Sequence, residues 1–95
     1  MDEFGIYHGA HPAAASPNLT AVRWYPCASR TTNVRVRDYT CGCLPVVFEL
    51  CNAAGLAFIR RHQRSTSGTV VTESGWETWS RTEALWSHIL RGEAG

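Results

Sequence analysis

The chain contains no lysine, so all nine of its basic side chains are arginines. Forked guanidinium groups therefore replace point charges throughout, yet a nucleotide bias would produce the same pattern, and this absence selects no partner. Long apolar runs are missing too. The longest, around Leu44 to Leu50 and Leu56 to Ile59, fall far short of the roughly 20 residues that a membrane-spanning helix needs. The opening residues place Asp2 and Glu3 where an export signal would carry positive charge, so a cytoplasmic protein is expected. No glycine-rich phosphate loop, H-E-x-x-H pair or helix-opening C-x-x-C occurs, which points away from an enzyme. Helix-turn-helix and complete zinc-finger spacings are absent as well.

What is present is a 95-residue chain, 44% hydrophobic and 18% charged, with a formal charge of +1. That composition suits one folded domain with a thin core rather than a disordered chain. The charge is uneven. Between residues 23 and 64 seven arginines stand against Asp38 and Glu49, while both flanks are net acidic.

Residues 1 to 19 show no sustained period of either 2 or 3.6 and are expected to form a flexible arm preceding a single domain over 20 to 95. His8 and His11 are metal-ligand types three residues apart, but Gly9 and Pro12 oppose a helix that would hold them together, and they read as part of a polar leader. Thr20 to Tyr25 is rich in strand-forming residues. In Thr31 to Tyr39, Val34 and Val36 alternate with Arg35 and Arg37, giving an inner and an outer face. Val46, Phe48 and Leu50 then alternate with Val47, Glu49 and Cys51, and a turn at Asn52 to Gly55 leads into LAFIRR at 56 to 61. A turn at Ser65 to Gly68 precedes Thr69 to Thr72. Glu49 is expected to face an arginine on a neighbouring strand.

The tail changes period. Ser80 and Glu83 match a capping box, Leu85, Trp86, Ile89 and Leu90 form one stripe, and Gly92 is a stop signal, so a helix is expected over 81 to 91. The expected fold is therefore α+β: a three- or four-stranded antiparallel meander with a C-terminal amphipathic helix.

Cys27, Cys41, Cys43 and Cys51 follow the spacing C-x13-C-x-C-x7-C. Four thiolates are the right number to close a tetrahedral shell, so a structural zinc site on these four residues is expected. Pairwise disulfides, or thiols that either pack singly or perform redox chemistry, are the competing readings. One geometric obstacle stands out. If Phe48 and Leu50 face the core from a regular strand, Cys51 points to the opposite face, and a bulge, or His62 or His88 in its place, would be needed to complete the shell.

Function is read from what such a scaffold would present. The first expectation is a small non-catalytic regulatory or adaptor protein that contacts a protein partner through Trp76, Trp79, Trp86 and Arg91. The alternative is a nucleic-acid-binding module using Arg35, Arg37, Arg60, Arg61 and Arg64. A thiol-redox protein acting through Cys41 and Cys43 is a third reading.

Overall fold

A computed structural model of the chain describes residues 8–27 and 33–95. Its strands are β1 (Tyr25–Pro26), β2 (Arg35–Tyr39), β3 (Val46–Ala53), β4 (Leu56–Ser65) and β5 (Gly68–Glu73), followed by helix α1 (Trp79–Leu90). They form one antiparallel sheet in the order β1-β5-β4-β3-β2. The meander runs from β2 to β5 as the alternating runs imply, and β1 adds a fifth strand at the far edge. No helix among the described residues is long and apolar enough to cross a membrane.

Two tight turns fix the register of the long strands. Ala53 pairs with Leu56 around Ala54 and Gly55, whose φ values of 51° and 79° both lie in the left-handed region. A two-residue hairpin of this hand matches the twist of the strands it joins. Ser65 pairs with Gly68 around the second turn.

The period-2 pattern sorts the side chains as expected. Phe48, Leu50 and Ile59 face α1, where they pack with Trp86 and Ile89 and with Val22, Trp24, Leu85 and Ala94. Cys51, Ala53 and Phe58 lie on the opposite face beside Val34 and Trp76. Glu49 does meet an arginine, Arg60, at 3.6 Å, but it is buried rather than exposed.

Three expectations are corrected. The first strand shrinks from Thr20–Tyr25 to Tyr25–Pro26, because Thr20 and Val22 bond instead to the backbone at Glu93 and Gly95. In β2 the register shifts between Val36 and Asp38, so Arg35 and Arg37 are not placed on one face by a regular alternation, and Val36 is exposed. An irregularity of this kind is common on an edge strand, where one side of the ladder has no partner. The helix begins earlier than the capping box suggests: Thr78, not Ser80, is the cap, accepting from the Arg81 amide at 3.4 Å.

The helix stop is as expected. Gly92 has a φ of 72°, its N–H reaches Ile89 O at 3.0 Å, and the Glu93 N–H reaches His88 O at 2.8 Å. These two bonds form a Schellman motif, in which a glycine takes the left-handed position.

The segment preceding β1 lies along the body. The Cys41 N–H donates to Ala10 O at 2.9 Å, Ala13 N–H to Leu90 O at 2.9 Å, and Ser16 N–H to Gly92 O at 2.8 Å. Ala10 and Thr40 form a parallel bridge. From residue 10 the stretch expected as an arm thus links the end of β2 to the end of α1.

Candidate metal centre

The site grows out of the turn between β2 and β3. Thr40 closes the strand, its hydroxyl accepting from the Phe48 amide at 2.9 Å, and Cys41 N–H is turned to Ala10. Gly9 passes so close to Tyr39 that a Cβ there would lie 2.6 Å from the Tyr39 carbonyl oxygen. Only glycine allows that approach, and it brings the next residues across the turn. As a result His11 stands over Cys43, with Nε2 3.5 Å from Sγ, while Cys41 Sγ and Cys43 Sγ are 3.2 Å apart. The three donor atoms all lie within 4.8 Å of one another.

Arg64, at the far end of β4, holds the turn from the other side. Its Nη2 donates to Gly42 O at 2.6 Å and also to Leu44 O, and its backbone N–H donates to Pro45 O at 2.9 Å. One guanidinium thus spans the carbonyls on either side of Cys43, and its positive charge favours the thiolate form of that residue.

The two thiols are not equivalent. Hydrogen bonds from the Cys43 backbone and thiol, then from the Gly9 backbone, bring Cys41 down to about 6. Sharing that proton raises Cys43 above the usual thiol range. Cys41 is thereby the thiolate of the pair at neutral pH.

These distances suit a thiophilic cation. Zinc bonds at about 2.3 Å to sulfur and about 2.0 Å to nitrogen in a tetrahedron, which sets a sulfur and a nitrogen about 3.5 Å apart and two sulfurs about 3.8 Å apart. The Cys43 to His11 spacing already meets the first value. The sulfur pair needs to open by only about 0.6 Å, within reach of side-chain rotation.

Of the four cysteines expected as ligands, the structure brings together Cys41 and Cys43 and leaves Cys27 and Cys51 outside the cluster. Cys51 is fully buried on the sheet face away from the helix, donating to Glu49 O at 3.7 Å, and burial pushes its thiol up to about 12. Its strand is regular at this point, so the parity obstacle is real and no bulge relieves it. Cys27 follows β1 at the edge opposite β2; partial burial and the Glu73 carboxylate raise its thiol. His62 does not replace Cys51 either: its Nε2 is bound to Glu49. His88 bonds through Nδ1 to Glu93 at 2.8 Å.

Local sequence reads His11, a metal-ligand type, as part of a polar leader, whereas the structure sets it beside the cysteine turn. Its signal was present in Gly9, a residue whose smallness permits close backbone approach.

The remaining expected contact residues are dispersed. Trp86 is buried on the helix face that packs against the sheet, Trp76 stacks on Phe58 at 4.5 Å, Trp79 is exposed, and Arg91 bonds to Glu93 at 3.1 Å. Among the five arginines of the nucleic-acid reading, Arg35 is exposed, Arg37 donates to Asn52 at 3.0 Å, and Arg61 lies 5.5 Å over Trp24 on the helix side. Arg60 is on the other face with Glu49, and Arg64 holds the cysteine turn. They do not assemble one phosphate-facing patch. Arg30, another of the seven arginines between residues 23 and 64, lies outside the described residues.

Comparison of the chain with family models, with curated proteins and with solved structures gives no match in any of the three.

Proposed function

We propose that this chain is a small binding module in which a zinc ion on His11, Cys41 and Cys43 staples the N-terminal segment to the sheet. The observation that carries this reading is the convergence of three soft or borderline donors, from two distant parts of the chain, within 4.8 Å. A tetrahedral ion so held keeps one position for water or for a donor outside the described residues. The four-cysteine cage expected from spacing is set aside, because Cys27 and Cys51 belong to other parts of the sheet.

Fixing the segment fixes what it leans on, namely the end of α1. A protein partner is proposed to read that helix from outside, with the exposed Trp79 at its start and Arg91 at its end as contacts. Metal binding needs these thiols reduced, and a reducing compartment such as the cytoplasm is proposed on that ground.

Metal content and cobalt uptake on reduced protein test the reading. One equivalent per chain is expected, with a sulfur-to-cobalt charge-transfer band. His11→Ala and Cys43→Ser should each weaken binding by at least about tenfold. Cys27→Ser should leave it unchanged, which separates this site from a four-cysteine cage. Reduced, folded protein that takes up neither metal would overturn the proposal.

One observation favours a second reading. The 3.2 Å approach of the two sulfurs, one of them a thiolate, also suits thiol exchange with a disulfide. A loss of two hydrogens per chain on mild oxidation, reversed by dithiothreitol and confined to Cys41 and Cys43, would support it.

A further inference from the structure

The sheet face turned away from the helix carries a second polar site that the metal centre does not use. Cross-strand register lines up Glu49, Arg60, Glu73 and Tyr25 on β3, β4, β5 and β1. Directly paired antiparallel residues project to the same face, so the four side chains form one row. Both carboxylates are deeply buried, Glu49 at 3% and Glu73 at 4% exposure. Arg60 and His62 both turn to Glu49. Among the described residues, Glu73 accepts at Oε1 from the Trp76 indole N–H at 3.1 Å.

Beside Glu73 the surface opens into a cleft of about 380 Å³, lined by Tyr25, Pro26, Glu73, Ser74, Gly75 and Trp76. This is large enough for a small organic group. Trp76 is held in place: one face of its ring stacks on Phe58, nearly parallel at 5°, and its N–H is tied to Glu73. An indole and a phenol thus flank a buried carboxylate that, among the described residues, accepts a side-chain hydrogen bond from Trp76.

We infer that this cleft binds an N-methylated ammonium group. Aromatic faces attract a cation through their quadrupole, and Glu73 supplies the countercharge. A primary ammonium would have to shed tightly held water from three N–H donors, and of the residues lining the cleft only Glu73 offers a carboxylate in exchange, the Gly75 carbonyl already accepting from the Ser74 hydroxyl. A trimethylammonium has no N–H donor to satisfy. The headgroup chemistry is shared by choline and by a trimethylated lysine side chain.

Titration of the full chain, followed through the indole N–H resonance of Trp76, tests this directly. Choline or free trimethyllysine is expected to shift that resonance saturably; a response to only one identifies the source. The neutral isostere 3,3-dimethyl-1-butanol and unmodified lysine should bind at least about tenfold more weakly, as should choline to Glu73→Gln. Should Glu73→Gln fail to fold, Tyr25→Leu at the exposed edge provides the second variant, with a loss of severalfold expected. Equal binding of the isostere or of unmodified lysine would overturn the inference, as would a Trp76 resonance that answers to neither ammonium. Unchanged affinity in a folded Glu73→Gln or Tyr25→Leu protein would overturn it equally.

Discussion

Individual side chains in this protein are tuned by what lies within a few ångströms, and the cysteines show it most plainly. Cys41 sits among donors and is acidified to about 6, whereas Cys51 is enclosed and raised to about 12. In metal-free, reduced protein at pH 7, iodoacetamide should therefore modify Cys41 first and leave Cys51 untouched until the chain unfolds; mapping the adducts by mass spectrometry checks this. The linkage has a definite sign. A thiol whose folded value exceeds its unfolded one, about 8.5, stabilises the fold fully below that value. That contribution is lost as pH rises toward about 12. Denaturant midpoints should accordingly fall on the alkaline side, and a Cys51→Ala variant should show a shallower decline. Ala54 offers a separate prediction. With its φ at 51° it occupies a position where a Cβ is unfavourable. Ala54→Asn, which suits this turn, should stabilise by about 0.5–1 kcal/mol and raise the thermal midpoint by roughly 3–6 °C.

At the level of elements, the helix and the long hairpins were legible because each obeys a local period. The stripe of Leu85, Trp86, Ile89 and Leu90 and the alternation from Val46 to Cys51 are consequences of 3.6 and 2.0 residues per repeat; the alternation sorts β3 onto two faces, both of which are covered, since Val47, Glu49 and Cys51 are buried as well as Leu50. Ends were less legible. Thr78 competes with Ser80 for the cap, and the choice depends on where Glu77 pairs with Ala57, which no local pattern reveals. His11 was beyond local reading for the same reason: its neighbours in space are some thirty residues away, brought there by the Ala10 to Thr40 bridge. Gly92 was readable as a stop but has a second task, since a Cβ there would come within 2.3 Å of Ala14 O. Gly92→Ala should therefore cost more than a lost cap alone, about 2 kcal/mol or above, measured by urea denaturation.

The molecule as a whole has two supports of unequal reach. The apolar cluster of Leu50, Ile59, Trp86 and Ile89 joins sheet to helix without help from the cysteine turn. Chelation should thus leave the far-ultraviolet circular dichroism nearly unchanged. The effect should concentrate in residues 10 to 16, where amide exchange and protease cutting increase. Cooperative loss of all secondary structure on chelation would instead mean that the ion supports the core. Arg64→Ala should resemble mild chelation, loosening the 42–44 turn and weakening cobalt uptake severalfold, because the guanidinium that spans its carbonyls is gone.

The pairing of β3 with β4 separates two chemistries by the thickness of a single sheet, with the indoles of Trp24 and Trp86 on one side and a carboxylate row on the other. Sliding β3 by one residue would push Glu49 toward Trp24 and Trp86 and turn Phe48 and Leu50 away from them, so both environments would be violated at once. Misaligned hairpins are penalised twice over, and a newly made chain has little room to settle into a neighbouring alignment.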